Sequence, residues 1–419
     1  MSHRGLHVVV LGCGFVGLPV CLLAVAAGHV VTAYDTNSER IARLLACNSY
    51  IVDVTDDDLV GVTATGRFLP TSSAEMIAGF DVALIAVPTP LASGRPDLSF
   101  VEDAARLLSQ HVRPGSTVIL ESSTYPGTTE DVVAPILSQS GLVAGVDFHL
   151  GYAPERINPG MGLEALSKVP KIVAGVNATS ASEVRDFWSG LVPEVVAASN
   201  VRTAELAKLI ENAFRLVNVS FVNELAQHAR ALGASIGEAL DLAATKPYGF
   251  MRFQPGVGAG GHCLPVDTRY LAWQIAQTSH VKARLLDQAL RINELMPQYV
   301  TDRVIAGLER RGIDIAEAHI LVVGMTYKAD VADLRNSCAL TIIEELRARA
   351  AEVTVVDPYC AQTSLDVHPR LSPELVEAAT VVVVLVAHTH LDLVPLVAAR
   401  YVFDACGTGG LRADDLETL

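Results

Sequence analysis

The chain has 419 residues, half of them hydrophobic and 18% charged, with a formal net charge of -15 at pH 7. That length implies two or three domains with separate cores, and that composition excludes extended disorder. The acidic balance argues against nucleic acid or an anionic membrane as partner. No stretch approaches the roughly 18 uninterrupted apolar residues of a membrane helix, and the N-terminus lacks signal-peptide character, so a soluble, cytoplasmic protein is expected. Seven cysteines, at 13, 21, 47, 263, 338, 360 and 406, show no CxxC pair and no metal-ligand spacing. Reduced thiols and no metal are therefore expected.

Residues 6–35, LHVVVLGCGFVGLPVCLLAVAAGHVVTAYD, read as a buried strand, a glycine turn, a helix and a second strand. Gly12, Gly14 and Gly17 have the GxGxxG spacing, with Phe15 and Val16 inside it, Gly28 ends the helix, and Asp35 closes the second strand. GxGxxG alone is a weak signal; in this strand–helix–strand context it indicates a dinucleotide-binding fold. The helix N-terminus offers N–H groups to a pyrophosphate. Asp35 suits the ribose diol of NAD and repels the extra phosphate of NADP, and Arg40 joins the same cofactor set.

DVALIAVPTP (81–90) and STVILESSTYPGTTE (116–130) are further buried strands that leave into turns. Ligands of a parallel sheet lie beyond the carboxyl ends of its strands. Pro88, Thr89 and the turn 122–127 therefore face cofactor or substrate, with Thr124 the hydroxyl of interest, although a Ser/Thr-rich strand end is ordinarily only a turn. DFHLGYAPERINPG (147–160) sets Glu155 and Arg156 at the same edge.

From 199 to 232 no Gly or Pro interrupts the chain, and the pattern predicts one helix of roughly 45 Å. It is apolar around most of its circumference, which suits burial between domains or a homodimer built on it. Lys208 and Asn212 share one face of that helix. Polar groups there are costly unless they meet a ligand or partner; an interdomain hydrogen-bond pair fits the pattern equally well.

The stretch 254–271, QPGVGAGGHCLPVDTRYL, places Gly256, Gly258, Gly260 and Gly261 before Cys263. Glycine lets backbone approach a ligand closely, so the loop can wrap a small molecule and present a thiol. Asp267 would come back to the sulfur if the chain turns at Pro265. By itself such a loop is more often a surface turn with an inert cysteine; the nucleotide-binding context favours chemistry. A helix over 284–311 leads to a second α/β unit, with strands near 319–324, 352–359, 380–388 and 400–407 and one Gly turn without GxGxxG. Lys328 and Arg335 stand at its first strand's exit, where an anionic ligand explains them better than solvation. The expected fold is α/β, with two Rossmann-like, doubly wound parallel-sheet domains joined by a long central helix, divided as 1–198, 199–311 and 312–419.

The series GxGxxG, VPTP, STYPGT, YAPERINPG, ELAKLIENAFR, PGVGAGGHCLPVD and GMTYKADVADLRNS resembles the UDP-glucose/GDP-mannose dehydrogenase family over nearly the whole chain. ESSTYPGTTE and KPYGFM are most similar to its UDP-N-acetylglucosamine 6-dehydrogenase branch. The resemblance implies oxidation of a nucleotide-sugar C6 alcohol to a uronic acid with two NAD and an enzyme thioester. It implies Cys263 as nucleophile, Lys208 and Asn212 as oxyanion stabilisers, Asp267 with Thr124 as water-positioning groups and Glu155 as the acid that assists hydrolysis. Arg156, Arg252, Gly256, Gly260 and Lys328 would line the substrate, Arg252 in its own or a neighbouring subunit, and Arg335 would meet the cofactor pyrophosphate or a domain interface. Thr268 and Arg269 depart from the family's usual Pro and aromatic, and Arg252 from an uncharged residue. These departures could alter the sugar or base pocket; the branch resemblance puts UDP-N-acetylglucosamine ahead of UDP-glucose, with other nucleotide sugars open, in a cytoplasmic homodimer. A one-step hydroxy-acid dehydrogenase of 6-phosphogluconate type, or a nucleotide-sugar sensor without turnover, are the competing readings.

Overall fold

The computed structural model describes residues 5–156, 160, 162–163, 168–360, 367–408, 411, 413 and 415–419; Ile157, Asn158 and Pro159 of the YAPERINPG stretch lie outside them. Two compact units form, Met1–Glu211 with Trp273–Thr278, and Asn212–Ala272 with Ser279–Leu419.

The first unit is built on strands β1 (His7–Leu11), β2 (Val30–Tyr34), β3 (Phe68–Thr71), β4 (Val82–Ile85), β5 (Thr117–Leu120), β6 (His149–Tyr152), β7 (Lys171–Gly175) and β8 (Val195–Ala197). They form one sheet in the order β8-β7-β6-β5-β4-β1-β2-β3. Val8, Val9, Val10 and Leu11 are all buried, as both faces of a parallel strand covered by helices require. Helix α1 (Gly17–Ala26) follows β1 and packs Leu18, Cys21, Leu22 and Val25 into that core. Strand β7 runs antiparallel to β6, while every other pairing in the sheet is parallel.

Helix α2 spans Val201–Ala229, and the division between the units falls within it. Helices α3 (Leu264–Ser279) and α4 (Arg284–Glu309) follow. Pro265 does not turn the chain as the sequence suggests. It occupies the first turn of α3, where its missing N–H has no intrahelical partner to lose and its fixed φ suits the helix.

The second unit's sheet comprises β9 (His319–Val323), β10 (Glu352–Val356), β11 (Val367–His368), β12 (Val381–Val384), β13 (Val402–Asp404) and β14 (Leu416–Thr418), with helix α5 (Cys338–Arg347) between β9 and β10. The order is β11-β10-β9-β12-β13-β14, and all pairings are parallel. In both sheets the first strand is central and the order reverses beside it, the doubly wound arrangement that opens a ligand crevice at the strands' carboxyl ends. Strands β7, β8 and β14 were not visible in the pattern. The last is fastened through Glu417, which accepts from Arg303 at 2.6 Å, Arg310 at 2.7 Å and Arg230 at 2.8 Å.

Candidate active site

In the first unit the three glycines have separable functions. Gly12 has φ +95°, and a Cβ there would sit 2.6 Å from the Ala86 carbonyl oxygen; at Gly17 a Cβ would lie 1.9 Å from the Gly12 carbonyl oxygen. Both positions tolerate glycine only. At Gly14 a Cβ would meet nothing within 4 Å, so the backbone there faces open space. Among the described residues no side chain caps the N-terminus of α1, where helix N–H groups favour an anion. Phe15 and Val16 complete the turn. Asp35 is buried; one carboxylate oxygen accepts from the Cys13 N–H at 2.9 Å and from Arg40 at 2.7 Å, the other from the Asn37 N–H at 2.9 Å. These features fit a dinucleotide pyrophosphate and ribose.

The strand ends supply the rest of this half. Thr89 is buried, and before Pro88 the chain is held through Val87, whose carbonyl accepts from the Ser122 hydroxyl at 2.7 Å. Thr124 is fully buried, and its hydroxyl has no hydrogen-bond partner among the described residues. The turn that carries it is fixed by Glu205 of α2, which accepts from the N–H groups of Gly127 (2.6 Å) and Thr129 (2.9 Å) and from the Thr129 hydroxyl (2.8 Å). Burial pushes Glu205 up to about 7. Glu155 accepts from Lys171 at 3.1 Å and from the Arg156 N–H at 2.6 Å. The Arg156 side chain is directed away from it, onto Glu211 at 2.8 Å and the Pro170 carbonyl at 2.8 Å. Lys208 is 7% exposed, within one turn of both Glu205 and Asn212 on α2. A buried ammonium is costly without an anionic or polar ligand.

In the second unit the glycine segment is pinned on several sides. Asn223, fully buried on α2, accepts from the Gly256 N–H at 2.8 Å. Asn293 on α4 accepts from the Ala259 N–H at 2.6 Å and donates to the Ala259 carbonyl at 2.9 Å. A Cβ at Gly260 would meet the Asn336 carbonyl oxygen at 2.5 Å, and one at Gly261 the Tyr327 ring at 2.8 Å. The glycines thus allow close packing, and Cys263 emerges exposed at the N-cap of α3. Helix N-termini favour negative charge, which a thiolate or an adjacent oxyanion would carry. Asp267, one turn along, donates its N–H to the Cys263 carbonyl at 2.9 Å, and its carboxylate accepts from Asn212 at 2.5 Å. Asn212 and Asp267, 55 positions apart in the chain, are therefore brought together.

Lys328 and Arg335 lie on the segment between β9 and α5. Lys328 is partly buried and Arg335 is more open; Arg335 bonds Asp333 at 2.6 Å. The hydrogen bond to Asp333, opposed by burial and helped by the charge of the same carboxylate, holds the Arg335 guanidinium above the usual arginine range. His262 is held below the usual histidine range by burial and then by the charge of Arg335, next in the chain to Cys263. Arg252 is exposed and is engaged by Asp241 and Gln254, each at 2.6 Å, and Arg269 pairs with Glu294. Glu121, Lys171, Glu205, Asn223, His262 and Asn293 escaped the sequence reading. Of these, Glu121, Glu205 and His262 stand inside the quoted motifs ESSTYPGTTE, ELAKLIENAFR and PGVGAGGHCLPVD and carried a local signal.

The chain matches the NAD-binding domain model of the UDP-glucose/GDP-mannose dehydrogenase family over residues 6–188, its central domain model over 202–295 and its UDP-binding domain model over 321–408. It is 36% identical to a UDP-N-acetyl-D-mannosamine dehydrogenase of Pyrococcus horikoshii, over 93% of this chain and 91% of that one. It is 34% identical to a UDP-N-acetyl-D-glucosamine 6-dehydrogenase of Pseudomonas aeruginosa, over 85% and 83%. The solved structure of the Pyrococcus horikoshii UDP-D-ManNAc dehydrogenase superposes with a TM-score of 0.90, at 33% identity, covering 98% of both chains. With the glycine turn, the acid after β2 and the thiol-bearing segment all in place, the chain belongs to the UDP-glucose/GDP-mannose dehydrogenase family of NAD-dependent nucleotide-sugar dehydrogenases.

Proposed function

We propose that this chain is a NAD-dependent 6-dehydrogenase of a UDP-N-acetylhexosamine, oxidising the sugar C6 alcohol to a carboxylate through a thioester on Cys263. The observation that carries this reading is the exposed Cys263 at the N-terminus of α3, one turn before an Asp267 that Asn212 already holds. Bound NAD supplies the hydride acceptor for each of the two oxidations. Gly12, Gly14, Phe15, Val16, Gly17, Asp35, Arg40, Pro88, Thr89 and Thr124 are the residues assigned to hold it, with Arg335 reaching its pyrophosphate or a domain interface.

In the first oxidation the alcohol gives up its C6 hydride, and the water that Asp267 and Thr124 position takes its hydroxyl proton, to give the aldehyde. The Cys263 thiolate adds to the carbonyl carbon, and Lys208 and Asn212 stabilise the resulting thiohemiacetal oxyanion. Loss of the second hydride leaves the thioester. Water, positioned by Asp267 and Thr124, attacks it; Glu155 takes the proton, the C–S bond breaks, and the carboxylate leaves. Arg156, Arg252, Gly256, Gly260 and Lys328 are assigned to the nucleotide sugar.

The N-acetylhexosamine class is supported by the names of the relatives, which span the manno and gluco epimers. Incubation with NAD and a panel of UDP-, dTDP- and GDP-sugars, counting NADH per product, tests the reading. Two NADH per uronic acid on UDP-N-acetylglucosamine or UDP-N-acetylmannosamine supports it, and one NADH per product contradicts it.

Residues 1–198, 199–311 and 312–419 are assigned as the NAD-binding, dimerisation and UDP-sugar-binding segments of a cytoplasmic homodimer. Support for the dimer comes from α2, which leaves Leu206, Ile210, Phe214, Phe221 and Leu225 exposed along one face. Among the described residues no helix is long and apolar enough to cross a membrane.

A further inference from the structure

The reversal of β7 has a chemical consequence. In a parallel sheet the carboxyl ends of the strands line the ligand edge, and β7 is antiparallel to β6, so it is the beginning of β7 that arrives there. That first residue is Lys171. Its ammonium lies 2.5 Å from Glu121, directly after β5, and 3.1 Å from Glu155, beyond the end of β6. The fully buried Trp188 covers it, with the Nζ 3.9 Å from the ring centroid. Lysine and glutamate are rarely buried unless paired, and a buried ion pair adds little net stability over an apolar replacement of similar shape. The second oxygen of Glu121 has no hydrogen-bond partner among the described residues, so the cluster is not arranged to maximise its own bonding. One of its two carboxylates is the acid assigned to thioester hydrolysis.

We propose that Lys171 is a positioning residue for that hydrolysis, braced by Glu121 and Trp188 so that its ammonium fixes the orientation of Glu155. The inference rests on the role assigned to Glu155 above. Burial pushes Glu121 up to about 7. Burial also opposes the charge of Lys171, yet the carboxylates of Glu121 and Glu155 together hold it above the usual lysine range. The cation therefore persists at neutral pH between two acids, of which Glu155 is the one less deeply buried. With the Arg156 N–H on its other oxygen, Glu155 is held at both ends, as a proton acceptor needs to be when a displacement of about 1 Å can cost 100-fold in rate.

The test uses the full-length enzyme, NAD and whichever of UDP-N-acetylglucosamine and UDP-N-acetylmannosamine the wild type oxidises. Glu121→Gln with Lys171→Met removes both ends of the buried pair, leaving no orphaned charge between them. If that variant does not fold, Glu121→Gln with Lys171→Gln replaces the pair by two amides. Thermal melting and NAD titration establish that the variant is folded and loaded. Thioester hydrolysis is expected to slow by about 10- to 100-fold, with the NADH burst and the KM for the sugar unchanged. Intact-protein mass spectrometry should show the acyl adduct on Cys263 as the main species. Adding Glu155→Gln should slow hydrolysis no further than Glu155→Gln does alone. If Glu155→Gln slows hydrolysis while the folded pair variant does not, or if the two effects multiply, Lys171 does not act through Glu155 and the inference fails while the assignment of Glu155 stands. If Glu155→Gln hydrolyses its thioester at the wild-type rate, the assignment of Glu155 itself falls, and the positioning role with it.

Discussion

The two sheets of this protein repeat one another down to single hydrogen bonds, and yet only one of them has a dinucleotide turn. In the first, the Gly12 N–H donates to the Tyr34 carbonyl at 2.8 Å, the next N–H donates to Asp35 at 2.9 Å, and the Asn37 N–H closes on the same carboxylate at 2.9 Å. In the second, Gly324 donates to Val356 at 2.8 Å, Met325 to Asp357 at 2.8 Å, and Tyr359 to Asp357 at 2.9 Å. The difference begins immediately after the shared turn. Helix α1 starts at Gly17, so its N-terminus points at the turn, whereas α5 starts only at Cys338, after the long segment that carries Tyr327, Lys328, Arg335 and Asn336. The remaining partners of the two acids differ as well. Asp35 pairs with Arg40, whose side chain is 35% exposed, while Asp357 accepts from the fully buried His388, whose other ring nitrogen takes the Asp330 N–H. The comparison teaches that the buried acid after the second strand belongs to the fold, and that a short glycine turn running straight into a helix N-terminus, with a half-open arginine on that acid in place of a buried histidine, is what suits the first unit to a dinucleotide.

The sharpest way to break this comparison is at the glycines. Gly17→Ala forces a Cβ against the Gly12 backbone and is expected to weaken NAD binding by more than 100-fold, about 2.7 kcal/mol, with a lowered melting temperature. Gly14→Ala, whose Cβ meets nothing, should leave melting unchanged and weaken NAD alone. NAD titration beside thermal melting separates the two, and equal behaviour of both variants would count against the assigned turn.

Lys328 tests what the second unit's inserted segment does instead. Lys328→Ala should raise the KM for the nucleotide sugar about 10- to 100-fold, since a charge-assisted hydrogen bond contributes about 1.5–3 kcal/mol; an unchanged KM would make Lys328 a bystander. The acids come next in size. Asp357→Asn should cost about 1–3 kcal/mol of stability without altering the preference for NAD. Wild-type enzyme should prefer NAD to NADP because of Asp35, and comparable kcat/KM for both would remove that role. Asn293→Ala releases the glycine segment at Ala259 and should cost about 1–2 kcal/mol while slowing alkylation of Cys263 little, as read by denaturant unfolding and iodoacetamide kinetics.

What could be read in the sequence was whatever is local. The glycine spacing, the apolar runs of β1, β4, β9 and β12 and the uninterrupted α2 each lie within one contiguous stretch, and periodicity suffices for them. Strand β7 begins with a lysine, which as a sequence feature reads as surface, and only pairing with β6 shows that it is buried. Pro265 looked like a turn because proline serves both turns and first helical turns, and only a helix continuing through residues 266–279 decides between them. The clamps at Asn223 and Asn293 join residues 33 and 34 positions apart, and such partners have no signature in either segment. The thiol was found through its glycines, whereas the groups that hold its surroundings in place were not.

The central claim is that Cys263 carries the second oxidation, and the Cys263→Ala variant tests it most directly. With NAD and the sugar the wild type accepts, NADH is counted against product identified by mass spectrometry. Cys263→Ala is expected to bind both ligands, release one NADH per sugar and stop at the aldehyde or its hydrate. Two NADH per uronic acid from Cys263→Ala at close to the wild-type rate would contradict covalent catalysis and leave the glycine segment as a clamp on the substrate.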